Sequence, residues 1–582
     1  MGKESVKKAK AILIMLILGV ILVNVKRIFM DFETDCEYAV AMSYRMTRGD
    51  AMITQMWEPH QTSAFLNALL IRLYLLFTGT TTGIVLYLNL MGCVARCAVA
   101  WVFYRTFRKC CSRKVLLFCC IFFLTVNAKS SLLLEFSNML VYFSVLLCCS
   151  LYQYLKPGDG VKLKLGDDEK QEKRWLVLSA VLLCLTVISY PAALILYPVL
   201  IYLICRHSEE KKKDVALITG ICGMAGGAYM LCLIASAGWG DFWFCVRQIV
   251  TGDGSHEAGL AEKLLNYILE SGKAAVLLLG CGGLAFVLVY LWRFFRRKEI
   301  NTINGILVVS FALLFALNLV RMIFGIDPWI HLVVYFPILF LGCRWKKYCS
   351  EEEQLFFQIG MMLSLGSGLA VLILTNLTVL TTASYLILGV MVSMVPIGRY
   401  LQQCAQGRRH PERVWGIMVL FLCVTIFQNL VDVRSVSDIG AYSRIIDVRG
   451  VVKSGPEAGI FMDYIGAYKR NRDLEEWKEN VYPGDRILIV DTRGGGTSNI
   501  GYLYEDTEVC IDSTICTPTY NEKLLQYWEQ NPEKEPNVVI MECWFGEMLT
   551  PEDHWIRQWV EANFDSYTDG TYVRFYRRSV DE

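Results

Sequence analysis

The chain has 582 residues, 54% of them hydrophobic and 19% charged. That is too long for one ordinary soluble domain and too apolar for a typical soluble protein, an excess that repeated runs of membrane-spanning length explain. Its 57 basic and 55 acidic side chains leave a net charge of +2, so no global basic field points to nucleic acid. The N-terminus sets Lys3, Lys7, Lys8 and Lys10 before an apolar core, as a signal peptide does. No small-x-small cleavage site follows, so 11–29 reads as an uncleaved first helix that starts in the cytoplasm.

Residues 31–66 come next and gather Asp31, Glu33, Asp35, Glu37, Tyr38, Arg45, Arg48, Asp50, Glu58 and His60. Most such loops are solvated connections between membrane helices. Here Cys36–Met46 has the pattern of a short amphipathic helix, and Trp57–His60 packs an aromatic ring, an acid and an imidazole before apolar sequence resumes. So much ionisable chemistry at the edge of a bilayer favours a catalytic role. The run 63–78 carries Asn67 and Arg72 in its middle and reads as an interfacial or re-entrant helix within a first outer loop of 30–80.

Basic loops mark the cytoplasmic side, and they fix the parity of the remaining crossings. The second crossing is 82–104. Apolar sequence between the basic stretches 105–114 and 156–174 turns outside at Asn127-Ala-Lys129-Ser130, and 175–205 breaks at Tyr190-Pro191 as a hairpin. A run at 214–237 leads to an outer loop from Gly238 to Leu264; then come 273–292, 304–321, 328–343, 355–376, 379–397 and 414–431. The sum is about thirteen transmembrane helices with the C-terminal part outside. After 433 the composition changes. Strand-like runs at 486–490, 537–541 and 572–576 alternate with helical patterns at 520–530 and 551–562, the mark of an extracytoplasmic α/β domain. The division is therefore 1–432 for the membrane domain and 433–582 for the α/β domain.

Most of the 22 cysteines lie inside apolar runs and act as small apolar residues; only Cys510 and Cys516 suggest a disulfide. No Cys/His spacing fits zinc. Further ionisable residues fall at outer turns: Lys129, Glu135 and the nearby Asn138; Asp241, Arg247, Asp253, His256 and Glu257; Arg321, Asp327 and His331. Asp35 and Glu37 suit general-base catalysis or a divalent cation, and two residues apart on a helix they point in different directions and split roles. A lipid-linked phosphate would need cationic partners, for which Arg45, Arg48, Arg247 and Arg321 are available. The run Asp491–Asn499 is glycine-rich after a strand but fits neither phosphate-loop spacing, and reads as a turn.

Asp35-Cys-Glu37-Tyr38, Gly49-Asp50 and Glu58-Pro59-His60 through Leu66, leading into a helix that ends at Gly79, resemble the GT-C superfamily of polytopic glycosyltransferases. The likeness is nearest to the aminoarabinose transferase and protein O-mannosyltransferase branch. Relatives usually show Lys-Pro-Pro-Leu where this chain has Pro59-His60-Gln61-Thr62. The resemblance implies a plasma-membrane enzyme, bacterial by its architecture, that takes a sugar from a polyprenyl-phosphate donor to a surface glycan, lipid or protein acceptor. It implies Asp35 as the base and a second family acid at Glu135, with Asn138 the alternative position; Glu37 stays a catalytic candidate from its place beside Asp35. Tyr38, Arg45, Arg48, Glu58, His60, Arg247, Arg321 and His331 are the substrate-binding candidates. No cofactor is certain; a magnesium or manganese ion on Asp35 and Glu135 is the candidate. Competing readings are a glycan polymerase or ligase, a lipid-linked glycan flippase, and a glycan-binding membrane protein without catalysis.

Overall fold

The computed structural model describes residues 3–578, apart from 130, 157–165, 252–259, 297–304, 307, 308, 311, 315, 318, 319, 321–344, 376–380, 407–414, 434–442, 491–498, 505, 513–521 and 545. It is mostly helical, with a sheet in its C-terminal part. Among the described residues six helices are long and apolar enough to cross a membrane: Ala9–Met30, Ile84–Phe107, Phe136–Leu155, Lys211–Ala237, Glu262–Phe295 and Glu351–Ile373. Two shorter apolar helices are Pro191–His207 and Met418–Val431. Large apolar side chains such as Leu231, Leu279 and Phe295 stand exposed on these helices. That pattern belongs to an integral membrane protein, whose solvent is hydrocarbon.

Helix α1 is Lys3–Met30 and α2 is Thr34–Arg48, the expected amphipathic helix of the first loop. Gly49 ends α2 at φ 106°, a left-handed conformation that glycine adopts without steric cost. The polar loop 50–60 leads to α3, Phe65–Thr78, where interfacial sequence was expected. Its 14 residues rise only about 21 Å, short of a hydrocarbon core of about 30 Å. Helices α4 (Ile84–Phe107), α5 (Arg113–Thr125) and α6 (Phe136–Leu155) follow. The chain next breaks at Tyr190-Pro191, as the sequence predicts: Tyr190 is extended and Pro191 opens a short 3₁₀ turn.

The expected crossings 304–321 and 328–343 lie largely outside the described residues. Within the stretch expected to be an outer loop, Trp239–Thr251 forms a helix. Phe242, Cys245, Val246 and Ile249 recur at helical spacing and pack against the core of the C-terminal part.

In that C-terminal part a mixed sheet runs in the order 508–509, 486–490, 538–544, 573–577, 566–569, with 547–548 added beside 538–544. Strands 486–490 and 538–544 are parallel, with Ile487 beside Val538; strand 573–577 is antiparallel to the latter, with Val573 opposite Glu542. Ile487–Val490 is buried without alternation and shares its core with Trp477, Leu524, Tyr527 and Ile556 of the neighbouring helices. The helices Glu522–Gln530 and Trp555–Asn563 fall where the sequence places them; a third, Tyr464–Asn480, was not anticipated. Cys510 is buried, and Cys516 lies outside the described residues, and with it the expected pairing.

Candidate active site

Helix α2 presents two chemically different faces. Asp35 and Tyr38, one turn apart, face α6 and the 126–135 segment. Glu37, Arg45 and Arg48 lie on another face, toward the C-terminal domain.

On the first face Asp35 forms an ion pair with Lys129 Nζ. Lys129 sits in the connection between α5 and α6, which buried polar side chains hold from several directions. Arg96 of α4 donates to the carbonyls of Phe123 and Val126. Asn138 Nδ2 donates to the carbonyls of Ser131 (3.0 Å) and Leu133 (2.9 Å), and Asn67 Nδ2 to that of Leu134 (3.2 Å). Gly92 lets α4 close on this segment: a Cβ there would stand 1.7 Å from the Leu132 carbonyl oxygen. The described residues on either side of Lys129, Val126 and 131–134, are thus tied to α3, α4 and α6 by buried hydrogen bonds.

The segment ends at Glu135, which caps α6. Its carboxylate accepts the backbone N–H groups of Ser137 and Asn138, each at 2.7 Å. Burial pushes its carboxyl up to about 7; Lys129 and the two backbone N–H groups pull the other way, and the negative charge of Asp35 adds to the rise. Asp35, Lys129 and Glu135 thus share one electrostatic neighbourhood. Tyr385 joins it, its hydroxyl 2.7 Å from Ser137 Oγ. Aromatic rings complete the wall. His60 stacks on Phe136 at 4.2 Å between centroids and stands 5.4 Å from Tyr190, while Tyr38 meets Phe136 edge-on at 6.4 Å.

The second face is a docking surface. Glu37 is fully buried and pairs with Arg470, which also meets Glu457 at 3.2 Å. Buried Arg45 reaches Glu58 at 2.6 Å and Asp50 at 2.8 Å, donates to the Gln55 carbonyl, and lies 3.3 Å from the Tyr527 hydroxyl. Asp50 also takes Lys534 at 2.6 Å, and Arg48 meets Asp506 at 2.9 Å. Eight of the sequence-predicted residues are therefore divided. Asp35, Tyr38 and His60 converge with Glu135; Glu37, Arg45 and Arg48 reach residues of the C-terminal part, and Glu58 pairs with Arg45 within the loop. Arg247 is exposed on the helix Trp239–Thr251, and Arg321 and His331 lie outside the described residues.

Lys129 was recognisable from the sequence as a charge at an outer turn, though not as a partner of Asp35. Tyr190 was visible only as a helix break, and Tyr385 gave no signal. A divalent cation at Asp35 and Glu135 would meet two carboxylates already engaged, one by Lys129 and one by the start of α6. Among the described residues no three His, Cys, Asp or Glu side chains converge. A cation at Asp35 Oδ2 would compete with Lys129.

Helices of spanning length, a carboxylate–lysine site between α2 and the start of α6, and a C-terminal sheet region whose residues pair with α2 define a polytopic membrane protein with a polar site beside its C-terminal part. No family model and no curated protein matches the sequence. Among solved structures the chain is similar to the oligosaccharyltransferase of Archaeoglobus fulgidus. The apo crystal structure aligns at 10% identity over 98% of this chain and 75% of that one, with a TM-score of 0.44. The complex with zinc and sulfate aligns at 10% over 91% and 68%, TM-score 0.43. The complex with an inhibitory peptide and a dolichol-phosphate aligns at 11% over 92% and 70%, TM-score 0.42.

Proposed function

We propose that the chain is a membrane glycosyltransferase that moves a sugar from a polyprenyl-phosphate carrier to an acceptor on the outer face of the membrane. The observation that carries this reading is the convergence of Asp35, Lys129 and Glu135, walled by His60, Phe136, Tyr190 and Tyr385, between α2 and the start of α6. Asp35 is the base: its side chain keeps 35% of its exposure, whereas Glu135 is buried and bound to the start of α6. In the reaction the bond from the anomeric carbon to the phosphate oxygen breaks, and its electron pair leaves with the phosphate. The acceptor heteroatom bonds to that carbon, and its proton passes to Asp35. Positioning and charge stabilisation supply the remaining rate, because phosphate is a competent leaving group.

In this reading the chain crosses the membrane about thirteen times with a cytoplasmic N-terminus, and residues 433–582 form the outer domain. The aminoarabinose and O-mannosyl transferases are the nearest kind of chemistry, with Pro59-His60-Gln61-Thr62 in place of their Lys-Pro-Pro-Leu. The test is release of polyprenyl phosphate from polyprenyl-phosphate sugars by the purified protein, wild type against Asp35→Asn. Release that requires an acceptor and is lost in the variant supports the proposal. Unchanged release in the variant removes Asp35 as base.

A further inference from the structure

The Asp35–Glu135 pair has a cation of its own. We propose that Lys129 is the resident cation of this site: its ammonium holds the place beside Asp35 that a divalent metal would need, and it supplies the positive charge that meets the donor phosphate. The second half rests on the transferase reading; the first stands on the geometry alone.

Three observations carry it. Lys129 Nζ is in contact with the Asp35 carboxylate, and its charge acts on Glu135, Tyr190 and Tyr385, so it lies among the groups that form the wall of the site. Glu135 is committed elsewhere, with one oxygen on the Ser137 N–H and the other on the Asn138 N–H. The main chain on either side of Lys129 is anchored, at Phe123 and Val126 by Arg96, at Ser131 and Leu133 by Asn138 and at Leu134 by Asn67, with Leu132 close against Gly92, which keeps the ammonium near this wall. A hard divalent cation asks for about six oxygen ligands in near-octahedral order. Here it would find one carboxylate paired with a lysine and another capping a helix, and it would also have to displace a fixed like charge. A lysine is a compact point charge with three donors. It can move one donor from Asp35 to a phosphate oxygen without leaving the site. As the acceptor's proton arrives on Asp35, the ion pair weakens and the ammonium turns toward the phosphate that is gaining charge. Charge therefore passes from carboxylate to leaving group across one side chain, with no ion to bind or lose.

The test is Mn²⁺ binding followed by electron paramagnetic resonance, on the full chain in lipid nanodiscs without sugar donor. Wild type and Lys129→Arg should bind weakly and alike. Lys129→Met should bind at least about tenfold more tightly, because a fixed positive charge a few ångströms away is gone. The gain should vanish in Lys129→Met/Asp35→Asn. Wild-type binding as tight as that of Lys129→Met overturns the proposal, and so does a gain that survives Asp35→Asn. Lys129→Arg also controls for folding, since it keeps the charge. Turnover under chelation separates the two halves. Wild-type release that persists with chelator and falls in Lys129→Met supports the role at the phosphate. Release that chelator abolishes and Mn²⁺ restores overturns it. If no donor is turned over while the resonance pattern holds, the transferase reading fails and the occupancy of Asp35 by Lys129 stands.

Discussion

Arg45→Met tests the division of α2 into two faces. Arg45 and Glu58 are both fully buried and 2.6 Å apart, and Arg45 also reaches Asp50 at 2.8 Å and the Gln55 carbonyl. Methionine fills much of the same volume but removes the charge. Asp50 keeps Lys534 at 2.6 Å, so the main loss falls on Glu58, a buried carboxylate deprived of its guanidinium. Breaking a buried pair by removing one partner costs about 3–5 kcal/mol. Equilibrium unfolding in mixed micelles reads the loss, and limited proteolysis reads whether residues 443–578 come away from the bundle. Arg45→Met/Glu58→Gln should recover part of the stability, since the orphaned charge is gone, with a coupling of about 2 kcal/mol in the double-mutant cycle. If Arg45→Met unfolds within about 1 kcal/mol of wild type and the two changes simply add, the docking role of this pair is refuted.

Other outcomes follow from the same geometry. Asp35→Asn should lower turnover about 10²- to 10⁴-fold, the usual worth of a general base. Its unfolding curve should stay near wild type because Asp35 is partly exposed; equal losses of turnover and stability would contradict this. Gly92→Ala should reduce both, since its Cβ would meet the Leu132 carbonyl and push back the segment bearing Lys129 and Glu135; a variant with wild-type kinetics would mean the segment yields freely. Glu135→Gln should change the pH dependence of stability. In the fold this carboxyl is held at about 7 against an ordinary 4.5, so the folded state binds its proton more tightly. Its contribution is therefore full below pH 4.5 and declines as pH rises to about 7, by roughly 3 kcal/mol in all. The glutamine variant should lack that decline, and parallel wild-type and variant profiles would exclude the shift.

Much of this arrangement could be read locally. Thr34–Arg48 is a helix because its apolar residues recur at helical spacing, and the separation of Asp35 from Glu37 follows from their positions two residues apart. Long apolar runs and the strand-like runs at 486–490 and 572–576 were equally plain, and the strands form at 486–490 and 573–577. What could not be read was partnership. Glu37 meets Arg470, 433 residues further on, and Lys129 reaches Asp35 across 94. No local pattern encodes such a meeting: the sequence marks Glu37 as a catalytic candidate and Arg45, Arg48 and Glu58 as substrate-binding candidates, and says nothing of the pairs Glu37–Arg470, Arg48–Asp506 and Arg45–Glu58. The helix Tyr464–Asn480 stayed hidden for a related reason: it buries Lys469, Arg470 and Glu476 beside Ala467, Leu474 and Trp477, so charges interrupt the apolar stripe of its inward face. By contrast, the helix Trp239–Thr251 had a readable signal in Phe242, Cys245, Val246 and Ile249, masked by the glycines at 238 and 240 and by its place between two spans.

The central claim is that sugar transfer takes place beside Asp35, Lys129 and Glu135. The most direct measurement is photocrosslinking with a polyprenyl-phosphate sugar that carries a diazirine on the sugar, followed by peptide mapping. Labelling within 31–60, 126–139 or around Tyr190 and Tyr385, and competition by unmodified donor, is the predicted result. Competable labelling confined to other parts of the chain would place the donor elsewhere and contradict the account.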